Sequence, residues 1–318
     1  MITVWAPDGV AEVRRGDDLA DLLLAVLPAA DLADGDVVCV TSKAVSKAEG
    51  RVVPGDRAAA IAAETRRVVA RRGRLAIVVN RLGLTMAAAG VDASNVEQGQ
   101  VVLLPDDPDA SARDLRDALA SRAGANIGVL VTDTAGRTWR EGQTDIAVGA
   151  AGLQVLDDHV GRVDDYGNEL TVTAPAVADE LAGVAELAAG KLGRRPFTVI
   201  RGRGDLVLPP GEHGAGAAAL LRPEGADLFG LGAREAVLAA LGARPGDRTA
   251  FGDPVEPDEL VEILTELTGS EVVLTDGEVG VVTDDPHARW ATEVAAYAHG
   301  WTATGADARG VRLRPSSP

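Results

Sequence analysis

Four stretches of this chain gather residues able to handle phosphate and carboxylate groups. In VTSKAVSKAEGR (40–51), Ser42, Lys43 and Lys47 follow an apolar run. Strand ends are where ligands commonly meet a sheet, and a hydroxyl and ammonium groups there suit phosphate or carboxylate oxygens. In AAAGVDASNVEQG (87–99), small residues permit close approach, Asp92 offers hard oxygen and Asn95 an amide; an Asx turn has the same pattern. TDTAGRTWREGQTD (132–145) sets Asp133 and Thr134 at the end of the most apolar strand, ahead of Arg137 and Arg140. A carboxylate and a hydroxyl suit Mg²⁺ or Mn²⁺, and guanidiniums suit an anion; a salt-bridged turn that neutralises Asp133 is the bland alternative. In AGKLGRRPFTVIRG (189–202), Gly190 and Lys191 close a helix and lead into a strand. Cations there can meet phosphate, or simply complement the helix dipole.

Better-known arrangements are missing. Ala185 and Leu192 break the spacing of a Walker A loop, and FGLGARE (229–235) lacks the third glycine of a dinucleotide loop. His159, His213, His287 and His299 are scattered without metal-ligand spacing. Cys39 lies inside VVCVT, which reads as a buried strand and not as a nucleophile site.

Lysine occurs only at 43, 47 and 191, whereas arginine supplies every other cation of the 31 basic residues. A lysine retained against that bias marks a place for a compact ammonium on a flexible stem. The net charge of −17 opposes nucleic-acid binding, which calls for a basic face. A 46% hydrophobic share supports a real core. A single cysteine fits a reducing cytoplasm, and no apolar run has the length of a membrane span.

The elements that must hold these residues follow from pattern. Strands are predicted at 37–41, 75–79, 101–104, 127–132 and 197–202, with a polar-alternating strand at 170–173. Helices are predicted at 17–27, 57–72, 112–123 and 176–189, the last closed by Gly190. The segment 208–216 is rich in Pro and Gly and reads as a lid or linker. Beyond about 245 the predicted elements are helices at 257–267 and 286–299 and a hairpin over 272–283, with a frayed tail of about six residues.

Taken in order, GDDLADLLL, GDVVCVTSKAVSKAEGRVV, AAAGVDASNVEQG, VLVTDTAGRTWREGQTDIAVGAAGL, GRVDDYGNELTVTAPAVADELAGVAEL and GKLGRRPFTVIRG resemble the coenzyme F-420 precursor:L-glutamate ligase family. The resemblance covers about residues 1–240 and is nearest to the ligase half of the actinobacterial two-domain enzyme. It implies an α+β fold: a two-lobed ligase core over 1–240, with a small α+β domain over 241–318. That remainder is too short for the flavin-binding reductase domain, so flavin binding is not expected.

The implied activity is GTP-dependent addition of L-glutamate to an anionic deazaflavin precursor through an acyl phosphate, with Mg²⁺ or Mn²⁺. By motif position, the resemblance assigns Asp92, Asp133 and Thr134 to metal and Ser42, Lys47, Asn95, Gly190 and Lys191 to nucleotide. Arg137 and Arg140 are catalytic candidates read from the residues and not from the resemblance, for the anionic substrate or the acyl-phosphate oxygens. A cytoplasmic homodimer without nucleic-acid or membrane partners is expected. The chain departs from the family at GVAEV (9–13), where a Leu-Pro pair is common, and at Lys191, where archaeal relatives carry an acidic residue. A non-catalytic nucleotide-binding paralogue and a ligase for another acidic acceptor are the rival expectations.

Overall fold

Residues 1–94, 96–307 and 310–316 are described by the computed structural model. The chain runs through β1 (Thr3–Trp5), α1 (Leu19–Leu24), β2 (Val37–Thr41), α2 (Ser42–Glu49), β3 (Val52–Pro54) and α3 (Arg57–Glu64). It continues through β4 (Thr65–Arg72), β5 (Leu75–Asn80), β6 (Thr85–Ala87), β7 (Gln100–Val102) and α4 (Pro108–Ala123). Next come β8 (Gly128–Arg137), β9 (Arg140–Ala151), α5 (Val177–Ala189) and β10 (Phe197–Arg201). The last elements are α6 (Ala233–Gly242), α7 (Pro257–Thr268), β11 (Glu271–Thr275), β12 (Glu278–Val282), α8 (Pro286–Ala298), β13 (Trp301–Asp307) and β14 (Gly310–Pro315).

Two compact units result, one of residues 1–66 and 78–221, the other of 67–77 and 222–318. The sequence reading divides the chain at 240/241; the structural division falls at 221/222 and assigns 67–77 to the second unit. The α+β class expected from the sequence is what the structure shows.

The first unit is organised by a sheet of order β1-β10-β2-β8-β9. Only β2 and β8 run parallel; every other neighbouring pair is antiparallel. Side chains alternate across a strand, so β2 and β8 feed two cores. Val38, Val40, Val129 and Val131 pack with residues of α1, α2 and α4. Val37, Cys39 and Leu130 pack with Ala178, Leu181, Ala182 and Ala185 of α5. Strands buried on both faces must read as unbroken apolar runs, as VVCVT and IGVLVT do. Asp18 caps α1 by accepting from the backbone N–H of Ala20 and Asp21, a cap worth about 1 kcal/mol. Gly149 admits α4 against β9, since a Cβ there would lie 2.3 Å from the Pro108 carbonyl oxygen.

The second unit packs Leu260 and Leu264 of α7 against Val279 and Val281 of β12, Trp301 of β13 and Leu313 of β14. Its sheet has the order β11-β12-β14-β13. No helix among the described residues is long and apolar enough to cross a membrane.

Several expectations are corrected. The helix predicted over 57–72 stops at Glu64, and the TRRVVARR segment that follows is strand β4, in one sheet with β5 and β6. Its β-branched run suits a pleated surface better than a helix. Residues 170–173 form no strand. The C-terminal tail is ordered as strand through Pro315, because β14 pairs with both β12 and β13; residues 317 and 318 lie outside the described residues. The segment 208–216 is pinned and does not read as a lid. Buried Arg116 donates to the carbonyl oxygens of Pro209 and Glu212 at 3.2 and 2.8 Å, and the Gly152 N–H donates to the His213 carbonyl.

Candidate active site

Because β2 and β8 are parallel and Thr41 lies opposite Thr132, β2 ends beside Asp133, while β8 continues to Arg137 paired with β9 alone. β2 turns straight into α2, whose first residue, Ser42, donates its hydroxyl to Asp133 Oδ1 at 2.8 Å. Lys43 is next, and its ammonium donates to Asp92 Oδ2 at 2.6 Å and to the Ser94 hydroxyl at 2.8 Å. Lys47, one helical turn further along α2, donates to Glu12 Oε1 at 2.6 Å. Glu12 also lies 3.4 Å from Arg194, while Arg195 holds Asp8 at 2.7 Å. These ion pairs tie the 8–12 segment to α2 and to the loop after α5.

Two successive residues of β8 face opposite ways. Asp133 follows Val131 toward α2, whereas Thr134 follows Thr132 toward α5. On that second side Thr134 stands directly across from Asp145 of β9, and its hydroxyl donates to Asp145 Oδ1 at 2.8 Å. Thr132 reaches the other carboxylate oxygen at 3.2 Å. Lys191, released from α5 at the Gly190 C-cap, donates to Thr134 Oγ1 at 2.6 Å and lies 3.6 Å from Glu186. Gly190 has φ 69° there, a conformation a side chain disfavours.

The electrostatics are uneven. Burial pushes the Asp133 carboxyl up to about 6; the Ser42 hydroxyl and the Thr134 N–H counter this, and the charges of Asp145 and Asp92 reinforce it. Asp92 goes the other way: its burial is outweighed by the Lys43 and Ser94 hydrogen bonds, and its carboxyl falls to about 2. Glu12 is lowered as well, chiefly by Lys47. Burial raises the Cys39 thiol to about 12, which makes it inert as a nucleophile.

Of the residues singled out by sequence, Ser42 and Asp133 meet directly, Asp92 joins them through Lys43, and Thr134 meets Lys191. Lys47 reaches the cluster's flank at Glu12. Asn95 lies outside the described residues. Arg137 and Arg140 are not brought to Asp133. They pair with each other in register at the exposed end of the β8–β9 hairpin, whose turn is Thr138 and Trp139. That placement removes the salt-bridged turn as an account of Asp133. Sequence reasoning offered Lys43 as a phosphate or carboxylate contact without naming Asp92 as its partner, and gave no role to Glu12, Ser94 or Asp145. The i to i+4 spacing of Lys43 and Lys47 was a usable signal for Lys43. Asp145 required the register of β8 against β9.

Among the described residues no three His, Cys, Asp or Glu side chains cluster as a closed metal cage. The donors present are carboxylates and hydroxyls, all hard oxygen. Such an open set suits Mg²⁺ or Mn²⁺, which take one or two carboxylates and complete their shell with substrate phosphate and water. An excess of buried carboxylate, unmatched at Asp133, is what a cation would relieve.

The sequence profile of the family described as F420-0:Gamma-glutamyl ligase matches residues 9–202. The coenzyme F420:L-glutamate ligase of Methanopyrus kandleri is 38% identical over 242 residues, covering 69% of this chain and 93% of the relative. That of Archaeoglobus fulgidus is 38% identical over 221 residues, covering 63% and 88%. That of Haloarcula marismortui is 41% identical over 224 residues, covering 62% and 86%. Every residue of the strand-edge cluster lies inside the matched span, and the chain belongs to the F420-0:gamma-glutamyl ligase family of enzymes.

Proposed function

We propose that this protein is a GTP-dependent ligase that joins L-glutamate to the F420 deazaflavin precursor. The observation that carries the reading is the pairing, within the family-matched span, of oxygen donors with lysines at one strand edge: Asp92 with Lys43 and Thr134 with Lys191. A free carboxylate is a poor acyl donor. In this reading the γ-phosphoryl group of GTP passes to the precursor carboxylate, giving an acyl phosphate and GDP. The glutamate amine then attacks the acyl carbon, the C–N bond forms, the C–O bond to phosphate breaks, and the amine loses a proton.

Asp92 and Asp133 on one face of β8, and Thr134 on the other, are the residues that would hold Mg²⁺ or Mn²⁺. The ion's contribution is to neutralise charge on the transferring phosphoryl group. Ser42, Lys47, Asn95, Gly190 and Lys191 take the nucleotide, with the two ammoniums turning from their present partners to phosphate oxygens. Arg137 and Arg140, solvent-exposed, take the carboxylates of the anionic substrate. The working unit is a cytoplasmic homodimer; this last element rests on family resemblance.

The test is a ligation assay resolved by product mass. With the deazaflavin precursor, glutamate, GTP and Mn²⁺, the product should be heavier by one glutamyl residue, and omission of GTP or metal should abolish it. GTP binding without any product would establish the non-catalytic paralogue instead. Glutamylation of a different acceptor would relocate the substrate while keeping the chemistry.

A further inference from the structure

Thr134 sits between two partners of opposite hydrogen-bonding character. On its inner side Asp145 is almost fully buried, at 4% exposure, and lies 2.8 Å from the hydroxyl. On its outer side the Lys191 ammonium lies 2.6 Å away. A carboxylate only accepts and an ammonium only donates, while a threonine hydroxyl has one proton to give. Lys191 therefore takes a lone pair of Thr134, and the single hydroxyl proton must point inward to Asp145. Asp145 is itself held in place, because Thr132 engages its second oxygen at 3.2 Å.

We infer that Asp145 is a positioning residue: by holding the Thr134 proton inward, it makes the hydroxyl oxygen an obligate acceptor for a cation at the strand edge. Lys191 is that cation here, and a divalent ion is the cation in the loaded enzyme. The inference rests on the reading of Thr134 as a metal contact. Direct ligation by Asp145 is disfavoured, because both its oxygens already accept hydroxyl hydrogen bonds, from Thr134 and Thr132.

The experiment titrates purified protein with Mn²⁺ alone and follows free Mn²⁺ by electron paramagnetic resonance. Asp145→Asn can turn an amide N–H toward Thr134 and release the proton outward, so it should weaken Mn²⁺ binding at least tenfold, within the usual range for residues behind a metal ligand. In a Thr134→Val background, which has no proton to orient, the same change should add less than twofold. Asp145→Glu, which restores an acceptor, should recover most of the affinity. Should Asp145→Asn fail to fold, Asp145→Ser removes the acceptor-only carboxylate with less bulk. Equal weakening with and without the Thr134 hydroxyl would mark Asp145 as merely structural and overturn the inference. So would wild-type affinity in Asp145→Asn, or in Asp145→Ser where that variant takes its place. Wild-type protein that binds no Mn²⁺, or binds it unchanged in Asp133→Asn and Thr134→Val, would instead refute the metal reading, and the inference would fall with it.

Discussion

Two aspartates, one wholly and one partly buried, mark opposite ends of the parallel strand pair at the centre of the sheet. Asp36, just before β2, is wholly buried, and its carboxylate takes a forked pair of hydrogen bonds from Arg201 at 2.8 and 2.7 Å. The Ala33 N–H adds a third at 2.8 Å, and Arg201 also lies over the Trp5 ring at 5.2 Å. Asp133, at the other end, has the Ser42 hydroxyl and the Thr134 N–H, with two further carboxylates close enough to raise its pKa. A carboxylate that serves the fold is held by a bonded counter-charge, here a half-exposed Arg201 over a buried Asp36. One partly buried amid like charge leaves part of its stabilisation to a ligand.

The contrast can be broken most strongly at Asp133. Asp133→Asn should cut ligation by about 10³-fold, the scale of losing a group that stabilises transition-state charge, as read from glutamylated product. Near-wild-type turnover would remove Asp133 from the chemistry. Arg201→Ala should do the reverse, costing about 3 kcal/mol of unfolding free energy by stranding Asp36, while the folded fraction keeps its kcat.

The pH dependence without metal is a sharper probe. Because the folded-state pKa of Asp133 is raised from 3.8 to about 6, its protonated form stabilises the fold. That stabilisation is complete below about pH 4 and is lost as pH rises through 6. In chelator, the stability of wild type minus that of Asp133→Asn should therefore fall by roughly 2.5 kcal/mol between pH 4 and pH 7; a flat difference would show Asp133 to be compensated already. Comparing the two variants cancels the opposite trend of Asp92 and Glu12, whose lowered pKa values give stability that is lost as pH falls. The smallest stability effect is expected at the hairpin end. Arg137→Ala and Arg140→Ala should change stability by under about 0.5 kcal/mol and raise KM for the deazaflavin precursor. An unchanged KM would dismiss both arginines.

Much of this was legible before any coordinates. β2, β10 and the buried part of β8 announce themselves as apolar runs, and the close of α5 is signalled by Gly190. The residues at their ends could be named because strand mouths are chemically predictable places. What stayed hidden depends on pairing between distant segments. The β-branched residues of 65–72 favour a strand, but the partner that makes them one, β5, is fixed only by the pairing. GRTWREGQ looks like a loop, yet β8 and β9 continue through it to a two-residue turn in which Trp139 takes φ 60°. Asp145 became visible only with that register, because it acts through a residue across the strand pair. Lys43 was underrated for a similar reason: its partner, Asp92, lies 49 residues away.

The segment 67–77 carries a consequence for how the polypeptide is made. It leaves the ribosome inside the sequence of the first unit, yet it belongs to the second. Its buried Val69 offers its carbonyl to the Gly232 N–H at 2.7 Å, and Arg67 donates to the carbonyl of Gly230, 163 residues downstream. At roughly 5–20 residues per second, those partners emerge about ten to thirty seconds after the hairpin does. During that interval a strongly basic tip and an unsheltered valine wait for their companions. The two units are thus interleaved in synthesis, and removing residues 222–318 would strand a piece of the second unit within the first.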